Sequence, residues 1–171
     1  MRADRPIGTF LLLWPTLTAL TIAGSGKIEI HLLIIFCIGT FLMRSAGCVI
    51  NDYFDQDIDK KVYRTNKRPF ATGSVSNFEA LFLFTFLLSL SALLLIFLNL
   101  LSFLIASSLL ILVIFYPLAK RIMNVPQLIL GIVFSGGILM AFSASANELP
   151  LIAFVLMFAN FCWIFSYDTA Y

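Results

Sequence analysis

Charge is scarce in this chain of 171 residues: Lys, Arg, Asp and Glu together make up 12% of it, about half of the roughly 25% usual in soluble domains. With 61% hydrophobic residues and a mean hydropathy of +1.01, that scarcity excludes a soluble domain and points to an integral membrane protein. Cysteine is scarce too. Cys37, Cys48 and Cys162 all fall in apolar stretches without zinc-ligand spacing, so they read as small buried hydrophobes. The single histidine, His31, opens an apolar stretch and reads as an interface residue. There is no Ser/His/Asp arrangement, no Gly-rich phosphate loop and no basic nucleic-acid surface, so nucleophilic hydrolysis and nucleic-acid binding have no support.

What is present is a series of long apolar runs. A hydrocarbon core about 30 Å thick needs roughly 20 apolar residues per helix, and six stretches qualify: Ile7–Ala23, His31–Ile50, Asn77–Leu98, Leu100–Leu118, Pro126–Ala146 and Leu151–Tyr167. Gly24-Ser25-Gly26 separates the first pair, and Pro126 and Pro150 suit first-turn positions, where a missing N–H is harmless. The third and fourth runs meet near Asn99 with almost no loop, and Pro15 should bend the first. The fold class is therefore all-α, a polytopic membrane helical bundle.

Orientation follows from the basic residues. With the amino terminus inside, the inner segments carry Arg2, Arg5, Lys60, Lys61, Arg64, Lys67, Arg68, Lys120 and Arg121, and the outer turns carry only Lys27. That asymmetry is the positive-inside pattern. It puts the acidic run Asn51–Asp59, the basic loop behind it, Lys120 and Asp168 on the cytoplasmic side.

The acidic run Asn51-Asp52-Tyr53-Phe54-Asp55-Gln56-Asp57-Ile58-Asp59 carries the chemistry. An Asp at a bilayer centre costs roughly 2.5–3.5 kcal/mol, so four of them belong at the membrane edge, facing protein or water. On a continuing helix, Asn51, Asp55 and Asp59 are spaced i, i+4, i+8 and share one slowly drifting face. Such oxygens suit Mg²⁺, which is held by one or two carboxylates together with waters and phosphate oxygens. A calcium loop starting at Asp55 fails, with Lys60 where Gly is required and Asn66 where a bidentate Glu is required. Arg44 lies two turns before Asn51 and is a candidate to grip a substrate carboxylate. Arg64, Arg68 and Lys120 are candidates to clamp diphosphate oxygens, and positive-inside topology is the alternative reading of Lys60, Lys61 and Lys67.

Five stretches, taken in order, make the chain similar to the UbiA-type intramembrane prenyltransferases. They are Arg2-Ala3-Asp4-Arg5-Pro6-Ile7-Gly8-Thr9 running on to Trp14-Pro15-Thr16; Arg44–Ile50 leading into an NDxxDxxxD motif met by Asn51, Asp52, Asp55 and Asp59; Arg64-Thr65-Asn66-Lys67-Arg68-Pro69; Tyr116-Pro117-Leu118-Ala119-Lys120-Arg121 with Pro126-Gln127 and Gly131; and Tyr167-Asp168-Thr169-Ala170-Tyr171, which resembles the start of a second acidic motif. The resemblance implies nine membrane helices, of which six are present. It also implies Mg²⁺ bound between two acidic motifs, and transfer of a polyprenyl group from polyprenyl diphosphate to the ring of 4-hydroxybenzoate in ubiquinone biosynthesis. By position, Asn51, Asp55 and Asp59 would be metal ligands, with Asp55 and Asp59 catalytic. Arg44, Arg64, Arg68, Lys120 and Asp168 would contact the substrates.

The acidic ends of the second and sixth helices, four helices apart, suggest two parallel repeats, the second unfinished at Tyr171. Residues 1–171 are thus expected to be one membrane-embedded domain, incomplete at its carboxyl end and catalytically incomplete as it stands. With no transit-like leader, the bacterial inner membrane is the expected location. Homogentisate, naphthoate or haem prenylation are alternatives on the same scaffold. A CDP-alcohol phosphatidyltransferase would need a DGxxAR lead-in that is absent, and a transporter with an acidic cation site would place its charges near the midplane rather than at one edge.

Overall fold

A computed structural model describes residues 6–63, 65–123 and 125–170, apart from the side chain of Arg121. Among these residues all regular structure is helical: α1 (Ile7–Ala23), α2 (Ile30–Asp59), α3 (Asn77–Leu95), α4 (Leu100–Ile122), α5 (Gln127–Ala146) and α6 (Leu151–Ala170). Helices α2 to α6 are long and apolar enough to cross a membrane, and α1 is a shorter apolar helix of 17 residues. The outer faces carry bare Phe, Leu and Ile side chains, Phe78, Ile96, Leu100, Ile111 and Leu151 among them, as a lipid-solvated surface requires. Six hydroxyls inside the helices are satisfied locally: Thr18, Thr21, Thr85, Ser89, Ser107 and Ser108 each donate to the carbonyl four residues back.

The boundaries differ from the sequence expectation in ways that matter for the site. Helix α2 does not stop at Ile50 but continues to Asp59, 30 residues in all. At about 1.5 Å per residue it is about 45 Å long, half as long again as the hydrocarbon core, so its acidic last turns project past the lipid. Helix α3 ends at Leu95 rather than Leu98, because residues 96–98 form the turn before the Asn99 cap, whose side chain accepts a hydrogen bond from the Ser102 N–H. Helix α4 runs on past Leu118 to Ile122, carrying Lys120 on helical backbone. Pro126 serves as the cap of α5 rather than its first residue, and α6 extends to Ala170.

Helix α5 is the hub, packing on α1, α4 and α6, while α2 packs on α1, α3 and α4. Close approach in lipid favours small side chains, and α5 supplies three. A methyl group at Gly137 would fall 2.4 Å from the Thr16 hydroxyl of α1, one at Gly136 would fall 2.4 Å from Leu109 of α4, and one at Gly131 would fall 2.7 Å from Phe161 of α6. Because helix direction alternates, the start of α1 and the ends of α2, α4 and α6 lie at the same end of the bundle.

Candidate active site

The helical angle at which each residue leaves α2 sorts the acidic groups. At about 100° per residue, and taking Asn51 as zero, Asp55 leaves at about 40°, Asp59 at about 80° and Asp52 at about 100°. Asn51 and Asp55 thus form one pair and Asp52 and Asp59 another. The structure follows that sorting. Lys120 Nζ, reaching across from α4, donates to Asn51 Oδ1 at 2.6 Å and to Asp55 Oδ2 at 3.0 Å. Arg68 Nη1 donates to Asp59 Oδ2 at 2.7 Å and to Asp52 Oδ1 at 3.2 Å.

Local structure brings Arg68 there. After α2 the chain turns back: the Thr65 hydroxyl donates to the Asp59 carbonyl at 3.1 Å, and the Thr72 hydroxyl closes the next turn on the Arg68 carbonyl. Phe70 is buried with Leu42, Ala46, Val49, Ala80 and Leu87, which pins the loop between α2 and α3. Lys120 is set by the extra turn of α4, and its ammonium stands 4.8 Å from the centre of the Tyr116 ring. The carboxylates are well shielded: the side chains of Asp52, Asp55 and Asp59 are 10%, 12% and 6% exposed. Charges this dry are strongly coupled to their partners, and loss of one partner from such a pair costs about 3–5 kcal/mol.

Both pairs line one cavity of about 1410 Å³ that continues between the helices into an apolar interior. Arg44, Tyr116, Phe134, Tyr167 and Asp168 also face it. The Arg44 guanidinium lies 5.5 Å from the centre of the Phe134 ring. Among the described residues no carboxylate lies within ion-pair distance of it, in contrast to Arg68 and Lys120. The cavity therefore combines a polar rim, a lone guanidinium part-way down and a greasy interior. That is the surface that a molecule with an anionic head and a long apolar tail, standing beside a second, acidic molecule, would need.

Of the residues singled out from sequence, Asn51, Asp55, Asp59, Arg44, Arg68, Lys120 and Asp168 all line this cavity, and Arg64 lies outside the described residues. The i, i+8 trio does not converge on one point, since Asp59 turns to Arg68 while Asn51 and Asp55 turn to Lys120. Among the described residues no group of three or more His, Cys, Asp or Glu side chains forms a metal cage by itself. The donor set nonetheless fits a hard cation that takes most of its ligands elsewhere. Two protein oxygens reach a single cation position at the Lys120 ammonium, which is the share that Mg²⁺ asks of a protein when phosphate and water complete its shell. Sequence reasoning passed over Asp52 as a member of the site, although its i, i+7 spacing to Asp59 signalled it. It also assigned no site role to Gly8 and Phe134, which only tertiary packing brings to the cavity.

Comparison with known proteins places the chain among named relatives. The chain is 54% identical over 171 residues to the 4-hydroxybenzoate octaprenyltransferase of Neisseria meningitidis serogroup C, covering 100% of this chain and 58% of that protein. It is 50% identical to the protein of the same name from Shewanella baltica, covering 99% of this chain and 59% of the relative. The chain thus spans under two thirds of the length of the curated relatives it matches. The apo structure of a UbiA homolog from Aeropyrum pernix K1 superposes with a TM-score of 0.83 at 26% identity, over 99% of this chain and 63% of that one. Residues 12–171 match the UbiA prenyltransferase family. That match covers most of the chain, the solved UbiA homolog shares its helical fold, and this chain belongs to the UbiA prenyltransferase family.

Proposed function

We propose that the protein transfers a polyprenyl group from polyprenyl diphosphate to the ring of 4-hydroxybenzoate, in the bacterial cytoplasmic membrane with the site facing the cytoplasm. The observation that carries the reading is the cavity itself. Paired cations and carboxylates stand at its rim, a lone guanidinium stands deeper, and apolar walls run from it into the bundle. The names of the curated relatives supply the acceptor and donor, and the inside placement of the basic residues supplies the orientation.

In this reading Lys120 and Arg68 exchange part of their bonding from the α2 carboxylates to the diphosphate of the donor. The donor's isoprenoid tail lies along the apolar interior or passes between helices into lipid, where burial of each CH₂ contributes about 0.8 kcal/mol. Asn51 and Asp55, with Asp52 and Asp59 behind Arg68, would hold divalent cation, Mg²⁺ being the natural choice for oxygen ligands. When bound, that ion neutralises the charge growing on the leaving diphosphate. The allylic C–O bond breaks with its electron pair leaving on the diphosphate, the ring carbon forms the new C–C bond, and the ring then releases its proton. Tyr116 and Tyr167 line the path of the allylic cation, keeping water away and offering their ring faces to positive charge. Arg44 pairs with the acceptor carboxylate and so turns the ring towards the reacting carbon.

The test is product formation from labelled 4-hydroxybenzoate and a polyprenyl diphosphate in membranes containing the full-length protein, with and without Mg²⁺. Labelled prenylated product that depends on both Mg²⁺ and Asp55 supports the reading. Undiminished product from Asp55→Ala removes Asp55 from the chemistry. A transporter reading has less support, since the ionisable groups gather at one end of the bundle instead of its middle.

A further inference from the structure

Arg44 stands in a gap that α1 leaves open. Gly8, in the first turn of α1, lies so close that a Cβ built on it would fall 2.5 Å from Arg44 Nη2, 2.7 Å from Nε and 2.9 Å from Cζ. Those are three atoms of one guanidinium, and real side chains do not approach at such distances. The other wall is the Phe134 ring of α5, 5.5 Å from Cζ. All three residues line the cavity, and among the described residues no carboxylate lies within ion-pair distance of Arg44. A long, rotamer-rich side chain is therefore confined by a backbone on α1 and a ring on α5 rather than by an ion pair. Its charge remains available to whatever enters the cavity.

We propose that Gly8 is a specificity-determining position for the acceptor. The missing side chain at residue 8 lets the Arg44 guanidinium stand where it reads an acidic group on the aromatic substrate, and Phe134 holds it there. The proposal rests on the reading of Arg44 as the acceptor's carboxylate partner. Gly8 and Phe134 are positioning residues: they act through Arg44 and do not touch the reacting carbon. A methyl group at residue 8 displaces the guanidinium by a few tenths of an ångström or more, enough to spoil a bidentate contact whose geometry is fixed by the planar fork. The residues that would hold metal and diphosphate, in the last turns of α2 together with Arg68 and Lys120, lie outside this contact.

The experiment is steady-state kinetics on full-length protein in membranes, with 4-hydroxybenzoate and its neutral isostere 4-hydroxybenzamide as acceptors, for wild type, Gly8→Ala, Phe134→Leu, Arg44→Ala and the Gly8→Ala/Arg44→Ala double variant. The expected result for Gly8→Ala is a rise of about tenfold or more in KM for the carboxylate, with the amide and the KM for polyprenyl diphosphate moving less than twofold. Phe134→Leu moves the same parameter in the same direction by a smaller factor, and it tests the proposal if Gly8→Ala fails to accumulate in the membrane. In the Arg44→Ala background, Gly8→Ala should add nothing further. If Arg44→Ala discriminates between the acceptors but Gly8→Ala and Phe134→Leu do not, the inference is overturned and the reading of Arg44 stands. An additional loss from Gly8→Ala in the Arg44→Ala background has the same consequence, because the glycine then acts through something else. If Arg44→Ala itself affects both acceptors equally, the carboxylate reading and the inference fall together.

Discussion

The two ends of the bundle are both polar inside, and they are built on opposite principles. At the end away from the cavity mouth, Asn99 at the start of α4 and Ser102 one turn on meet Ser143 near the end of α5. The two serine hydroxyls lie 2.6 Å apart, the Ser102 N–H donates to Asn99 Oδ1 at 2.8 Å, the Ser143 hydroxyl donates to the same oxygen at 3.1 Å, and the Asn99 amide donates to the Ser143 carbonyl. Every group there is neutral, and Ser102 and Ser143 are fully buried. At the other end the partners are charged, partly exposed and open to a large cavity. A neutral network whose members satisfy one another joins α4 to α5 and has nothing left to offer a ligand. Charged pairs in a dry site stabilise little relative to apolar packing, so their presence at the cavity is a sign of chemistry.

Four single substitutions and one double variant would break or sharpen that contrast. The largest effect is expected at Asp55. Asp55→Ala should lower transfer by at least about 100-fold, the scale of removing one electrostatic contact to developing charge. Joined with Lys120→Met as Asp55→Leu/Lys120→Met, the inactive protein should unfold no earlier than wild type on heating in detergent, because an apolar pair is commonly as stable as a buried ion pair. Next, Arg44→Ala should raise the KM for 4-hydroxybenzoate by roughly 10- to 150-fold, the equivalent of the 1.5–3 kcal/mol in a charge-assisted hydrogen bond, leaving the donor KM in place. Gly136→Ala drives a methyl group into Leu109 and should cost about 1–3 kcal/mol of stability, measured by thermal unfolding, with the kinetic constants of the folded fraction unaltered. The smallest is Ser102→Ala, at about 0.6 kcal/mol and no more than about 1.7, with no change in either KM. A Ser102→Ala variant that altered acceptor selectivity would contradict the division between the two ends.

Much of this was legible in the chain because lipid leaves few choices. The length of each apolar run set the number of helices, and basic residues on one side of the runs set which ends face together. The acidic face of α2 was legible from spacing, but its division into two pairs was not read there: the three groups were taken together, although Asp59 leaves the helix closer to Asp52 than to Asn51. What spacing did not carry was tertiary. Arg68 reaches Asp59 only because Phe70 anchors the loop between α2 and α3. Gly8 and Phe134 flank Arg44 only because α1, α2 and α5 meet there. Neither fact has a periodic signature, and both depend on contacts between residues far apart in sequence.

The central claim is that the α2 oxygens and the cations bridging them form one site for a metal-bound diphosphate. Binding of a polyprenyl diphosphate to purified full-length protein, followed by calorimetry with and without Mg²⁺ in wild type and Asp55→Asn, tests it most directly. Binding in the wild type should tighten at least tenfold with Mg²⁺, and Asp55→Asn should abolish that dependence while remaining folded. An Asp55→Asn protein that binds the diphosphate as tightly as wild type, with the same response to Mg²⁺, would contradict it.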